Sequence, residues 1–252
     1  KNGKNTMDEF IAQLSDYDLS CIIRGEGMGS PRVTAGTASA FGGVSENLNG
    51  FGIPAGCCSD GPSGMRLDCG TKAFSLPNGT MIASSFNKEL TSELFTFMGL
   101  EMAANKVDCL LGPGMNIHRH PLNGRNFEYF SEDPFLTGKM AAAELKGMAG
   151  AGVTGTIKHF CANNRETNRH FIDSVVSERA LREIYLKGFE IAVKEGGASS
   201  VMTTYGIVNG LWTAGNFDLN TVILREEWGF KGFTMTDWWA NINVRGKEPD
   251  KT

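Results

Sequence analysis

The chain has 252 residues, 41% of them hydrophobic and 21% charged, an ordinary globular balance that suits one or two domains or a single α/β barrel. Its net charge of −4 argues against a nucleic-acid partner, and no run approaches the roughly 20 apolar residues of a membrane span. The six cysteines Cys21, Cys57, Cys58, Cys69, Cys109 and Cys161 form no C-x-x-C pair, which removes zinc ribbons and thioredoxin-type sites; they read as free thiols of a reducing, cytoplasmic compartment, while a start at Lys1 rather than at a methionine leaves a secreted form open.

Residues 6–24 form the first predicted helix. The stretch 24–52 is irregular, and its G-x-G pattern at Gly25, Gly27 and Gly29 follows no strand and lacks the spacing of a dinucleotide fingerprint. Strands are predicted over 53–59 and 80–84. The sequon Asn78-Gly79-Thr80 between them reads as a chance match. A helix over 88–105 follows, capped by Asn87, then a strand over 108–111 and a long polar loop. Asp133-Pro134 is an N-cap with proline at the first helical position and opens a helix over 134–149 that Gly150 ends. A strand over 153–160 precedes a helix over 178–195, which Ser177-Glu178 starts and Gly196-Gly197 stops. A strand over 198–203, a helix over 218–228 and a strand over 232–236 complete the pattern.

Repeated strand–helix units imply parallel strands joined by helical crossovers. Both an open doubly wound sheet and a closed barrel satisfy that. Polar residues recur after nearly every strand, which is how a (β/α)8 barrel of the TIM type builds one site from many loops. The predicted fold is such a barrel over 46–252, led into by a helical and linker segment over 1–45. Only six strands are visible, so the barrel is incomplete unless the rest falls in 24–52 or beyond Thr252.

The chemistry gathers at strand ends. Asp237 closes the apolar run Phe233–Met235 and is followed at once by Trp238 and Trp239, a carboxylate beside a flat aromatic surface. Such a pair suits a sugar: one group for the anomeric carbon and one for the apolar face of the ring. Asp60 and Arg66 share the loop after 53–59 and suit a vicinal diol, with the carboxylate accepting two hydroxyl protons. In the loop after 108–111, Arg125 is the best candidate for a substrate contact. Lys158 and His159 end the strand 153–160 and share one site only if the strand ends or twists there, since neighbours alternate in direction. Arg169 lies further along that loop. Tyr205 can donate to a carboxylate and keep it ionised, while Met202 reads as packing.

The strings SDGPSGMR (59–66), GRNFEYFSEDP (124–134), KHFCANNRE (158–166), SVMTTYGIVNG (200–210) and GFKGFTMTDW (229–238) resemble, in this order, the barrel domain of glycoside hydrolase family 3, the β-glucosidase and β-xylosidase type. The resemblance implies a retaining, exo-acting β-glucosidase without a cofactor. Asp237 matches the nucleophile that forms a covalent glycosyl-enzyme. Asp60, Arg66, Arg125, Lys158, His159 and Arg169 match residues that grip the hydroxyls of the terminal sugar, Met202 and Tyr205 line the pocket, and Trp238 matches the indole beside the nucleophile.

One departure matters. In the β-glucosidase branch the acid/base glutamate comes from an α/β sandwich domain of the same polypeptide. The branch without that domain carries a histidine–aspartate dyad after KHF, where this chain has Cys161-Ala162-Asn163-Asn164-Arg165-Glu166. The acid is therefore expected outside these residues, with Glu166 as a weak rival. The opening segment resembles the subgroup in which the sandwich precedes the barrel. Expected partners are a β-glucoside and that sandwich domain, with no nucleic acid and no membrane; self-association is compatible with this. Three other readings stay in view: a β-xylosidase or another β-glycosidase of the family, a non-catalytic sugar-binding barrel, and a metal-dependent lyase or isomerase using His118, His120 and Glu128.

Overall fold

The computed structural model describes residues 3–240; residues 1–2 and the end of the expected barrel segment, 241–252, lie outside the described residues. Two short helices open it, α1 (Met7–Ile11) and α2 (Asp16–Arg24), where one helix over 6–24 was predicted. Ser15 makes the break. Its hydroxyl accepts from the Asp18 N–H while the Asp18 carboxylate accepts from the Ser15 N–H, a capping box that starts a new helix. The irregular stretch 24–52 supplies a strand, β1 (Ser39–Gly42), and a short helix, α3 (Glu46–Gly50).

Next come β2 (Ala55–Asp60), α4 (Gly79–Ser84), α5 (Lys88–Ala104), β3 (Cys109–Leu111) and α6 (Pro134–Gly150). They are followed by β4 (Thr154–Phe160), β5 (Asp173–Ser174), α7 (Glu178–Ala180) and α8 (Lys187–Lys194). The last strands are β6 (Ser200–Thr203), β7 (Ile207–Val208), β8 (Leu211–Trp212) and β9 (Phe233–Met235). Asn87, Asp133 and Ser177 cap their helices as their sequence positions suggest. Two helical segments, Leu181–Tyr185 and Asp218–Glu227, widen to π-type bonding, as in Leu186 N–H to Leu181 C=O.

The strand expected over 80–84 is instead the helix α4. Thr80, Met81 and Ile82 look strand-like in so short a run, but Asn78 caps them: its Oδ1 accepts from the Met81 N–H at 2.9 Å. Gly79, Ile82 and Ala83 then share one buried helical face.

The main sheet has the order β1-β2-β3-β4-β6-β9, parallel throughout except for β1, which runs antiparallel to β2. It curls until its two edges meet through side chains. Phe41 of β1 stacks on Phe233 of β9 with centroids 4.7 Å apart, and the Trp238 indole donates to the Ala38 carbonyl at 3.3 Å. The fold is a TIM-type (β/α) barrel, with six strands in its wall among the described residues. Strand alternation sorts neighbours into two cores. Cys57, Leu110, Ile157 and Val201 point outward into a layer with Phe95, Met98, Met140, Leu145 and Phe189 of the helices. Cys58, Cys109, Leu111 and Met202 point inward. The polar atoms of the interior satisfy one another: Cys109 Sγ contacts Thr156 Oγ1 at 3.0 Å, which donates to Ser200 Oγ at 2.8 Å. No helix of the described residues is long and apolar enough to cross a membrane.

Candidate active site

The inward-facing alternation carries past the hydrophobic interior to the C-terminal ends of the strands. Asp60 continues the row of Cys58, Lys158 the row of Thr156, and Asp237 the row of Met235. His159 breaks the alternation. The β4–β6 register shifts between Lys158 and Phe160, a bulge that lets consecutive side chains serve one site. Together these residues line a cup of about 330 Å³, at the small end of the roughly 300–1,000 Å³ of ligand pockets.

Nine of the ten residues singled out from sequence line this cup: Asp60, Arg66, Arg125, Lys158, His159, Arg169, Met202, Asp237 and Trp238. Tyr205 stands just behind them. Its ring lies against the Arg169 guanidinium at 4.7 Å and against His170 at 4.1 Å, and its hydroxyl donates to the Trp238 carbonyl at 2.6 Å beside the Asp237 carboxylate. Glu166 is not part of the cup. It lines a larger neighbouring cavity of about 660 Å³, where Arg169 donates to it at 3.0 Å and Asn163 at 2.9 Å.

The electrostatics divide the two inner carboxylates. Burial would raise the Asp60 carboxyl, but the charge and hydrogen bond of Lys158, 3.2 Å away, hold it below the usual range. Burial wins at Asp237 and raises its carboxyl, against the Trp238 N–H, which donates at 2.8 Å, the charges of Lys158 and Arg125, and the Tyr205 hydroxyl. Burial also lowers His159 well below its ordinary value, and the cations Arg125, Lys158 and Arg169 add to it, so the imidazole is neutral. Its Nε2 lies 3.7 Å from Asp237 Oδ2. The Tyr205 phenol is pushed up to about 12, by burial first and then by Asp237.

Arg125 is delivered by the long loop after β3, and α4 clamps that loop. Thr80 donates from its hydroxyl to the carbonyls of Asn126 at 2.8 Å and Tyr129 at 2.9 Å. Gly79 permits the approach, since a Cβ there would sit 2.3 Å from the Glu128 carbonyl oxygen. The sequon Asn78-Gly79-Thr80 is thus a cap, a close contact and a clamp in succession. Arg125 then pairs with Glu128.

Three comparisons bear on this arrangement. The model of the glycosyl hydrolase family 3 N-terminal domain matches residues 3–251. The chain belongs to glycosyl hydrolase family 3. Over 250 residues it is 80% identical to a β-glucosidase of Ruminococcus albus, covering 99% of this chain and 26% of that protein. Its fold superimposes on a β-glucosidase from Paenibacillus barengoltzii with a TM-score of 0.93 at 61% identity, covering 98% of this chain and 27% of the other. β-Glucosidase 3B from Thermotoga neapolitana, solved in complex with glucose, gives a TM-score of 0.85 at 45% identity, covering 93% and 34%. The chain therefore spans about a quarter to a third of the length of these relatives.

Sequence reasoning passed over several residues of this family 3 cup. Met28, Gly36, Ala38, Asp68 and Leu111 also line it, alongside Trp239, the second indole of the aromatic surface expected beside Asp237. Asp68 accepts from Arg66 at 3.0 Å, so that arginine is tied to a carboxylate rather than free. The signals were present: Asp68 stands two residues after Arg66, and Glu128 three after Arg125. The rival metal set is dispersed in role. Glu128 pairs with Arg125, and His120 Nδ1 accepts from the Leu122 N–H at 3.1 Å. Among the described residues no three His, Cys, Asp or Glu side chains are grouped to hold a metal.

Proposed function

We propose that the whole protein is a retaining, exo-acting β-glucosidase in which Asp237 attacks the anomeric carbon of a terminal β-D-glucosyl residue. One observation carries the reading: a largely buried carboxylate, its side chain 15% exposed, stands just beyond β9 in a cup whose other polar walls include Asp60, Lys158, His159, Arg125 and Arg169. The 80% identity to a protein named β-glucosidase supports glucose as the sugar. Asp60, held ionised by Lys158, accepts hydroxyl protons of the ring, and the arginines and His159 donate to its oxygens. Hydrogen bonds that strengthen toward the oxocarbenium-like transition state convert this grip into rate. Trp238 and Trp239 supply an aromatic wall.

A retaining glycosidase needs a second carboxyl group roughly 5–5.5 Å from the nucleophile to act as acid and then base. The other carboxylates lining the cup, Asp60 and Asp68, are each paired with a cation, Lys158 and Arg66. Glu166 is held by Arg169 and Asn163 in the neighbouring cavity. We therefore assign the acid/base to another domain of the same polypeptide, an α/β sandwich, in keeping with the 26% of the Ruminococcus albus protein that this chain spans. The six unpaired cysteines, five of them buried, support a reducing compartment.

The test is labelling of the full-length enzyme with a 2-fluoro-glucoside that traps the glycosyl-enzyme, followed by peptide mapping. The label is expected on Asp237, and Asp237→Ala is expected to lose turnover while keeping its fold. A label on any other residue, or near-normal hydrolysis of nitrophenyl β-glucoside by the variant, refutes the assignment.

A further inference from the structure

Behind His159 lies a chain of hydrogen bonds whose direction can be worked out. It begins at Glu166, whose side chain accepts from the Arg169 guanidinium at 3.0 Å. A carboxylate only accepts, so the group facing it at 2.9 Å is the amide nitrogen of Asn163, and that fixes which way the amide points. The same nitrogen donates its second proton to the Tyr129 oxygen at 3.0 Å. Tyr129 is fully buried, and the other polar atom at its hydroxyl is Nδ1 of His159, 3.3 Å away. The Asn163 amide nitrogen can only donate, so among the described contacts Nδ1 is the acceptor for the phenol's own proton, which would otherwise be buried without a partner. A nitrogen that accepts carries no proton. The single proton of the neutral ring therefore sits on Nε2.

We propose that Tyr129, oriented by Asn163 and Glu166, is a positioning residue that sets the tautomer of His159, keeping the proton on Nε2, the nitrogen turned to Asp237. The inference rests on the reading of the cup as the glycosidase site and adds to it a residue that touches no substrate. Its value is electrostatic. Nε2 stands 3.7 Å from Asp237 Oδ2. With the proton there, the ring presents a neutral donor to a sugar oxygen beside the nucleophile. In the other tautomer its lone pair would face the carboxylate, repelling it and leaving the sugar oxygen without a donor. The backbone adds a second restraint on the same ring: His159 N–H donates to Asn116 Oδ1 at 2.9 Å, and Asn116 Nδ2 donates to the His159 carbonyl at 2.9 Å. Those bonds fix where the ring hangs, and Tyr129 decides which nitrogen is protonated. The construction also gives Glu166 a part, as the acceptor that sets the polarity of the chain.

The test uses the full-length enzyme labelled with 15N-histidine, without substrate. Two-bond 1H–15N correlation spectra read the tautomer of each ring directly, and a His159→Gln variant assigns the signal. Wild-type enzyme is expected to show His159 protonated on Nε2. Tyr129→Phe keeps the ring packing and removes only the hydroxyl; its His159 signal is expected to move toward a mixture of tautomers, with kcat down on the order of tenfold, the worth of about one hydrogen bond. A wild-type spectrum with the proton on Nδ1 overturns the proposal without requiring any variant to fold. So does a Tyr129→Phe spectrum in which the Nε2 tautomer persists undiminished. If instead the expected spectra appear while Asp237→Ala still turns over, the tautomer assignment stands and the glycosidase reading of the cup fails.

Discussion

Replacing Lys158 by methionine tests the division of labour between the two inner carboxylates. The lysine is buried, and its Nζ lies 3.2 Å from Asp60 Oδ1. Two unit charges at that distance attract by about 5 kcal/mol at an effective dielectric of 20 and by about 1.3 kcal/mol in water. The Asp60 side chain is 42% exposed to the cup, so solvent screens the pair toward the lower figure, about 2 kcal/mol or roughly 30-fold in an equilibrium. The signs then follow. The folded Asp60 carboxyl lies below its ordinary range, so the pair contributes stability above the unfolded carboxylate range and loses it as pH falls through the lowered value. In Lys158→Met burial is opposed only by the Gly61 N–H and the charge of Arg125, and the contribution of the pair disappears. At Asp237 the carboxyl is already raised by burial, and Lys158 is one of the groups opposing the rise. Its removal therefore raises Asp237 further. If Asp237 must be ionised to attack, the acid limb of kcat/KM moves to higher pH in Lys158→Met and stays near the wild-type position in Lys158→Arg, which keeps the charge. The assay is a pH profile of kcat/KM on nitrophenyl β-glucoside with the full-length enzyme. An acid limb that stays put or moves down in the methionine variant refutes the reasoning.

Two structural changes give further checks. Glu144, on α6, is buried and its carboxyl is raised well above the ordinary range by burial alone, so folding loses stability as pH rises from the unfolded value toward the folded one. Glu144→Leu is expected to stabilise the protein against urea by about 1–3 kcal/mol at pH 7 and by much less at pH 4; equal effects at both pH values would contradict it. Gly79→Ala places a methyl group 2.3 Å from the Glu128 carbonyl oxygen. The expected cost is about 1–3 kcal/mol in urea unfolding together with a raised KM, because the loop that carries Arg125 must shift; unchanged stability and KM would show that the contact relaxes freely.

Much of this was legible in the residues. Helix starts at Asn87, Asp133 and Ser177 are local matters, decided by a side chain and the next few backbone N–H groups. Parallel strands ending in Asp60, Lys158 and Asp237 could be read because a barrel site collects at one end of its strands. The failures are physical as well. The run 80–84 is too short for periodicity to separate helix from strand, and its cap settled the matter. The strand β1 has no helical crossover to announce it, and the sheet uses it antiparallel to β2.

The sequence by itself determined the barrel architecture, the family, and which polar side chains stand at strand ends, because alternation along a strand and capping at a helix start act over a few residues. Only the tertiary structure decided that His159 joins Lys158 in one cup, that Asp60 is held ionised while Asp237 is raised, and that Tyr129 stands behind the imidazole. Those outcomes depend on a shift in strand register and on burial beside charges distant in the chain, which no local pattern of residues encodes.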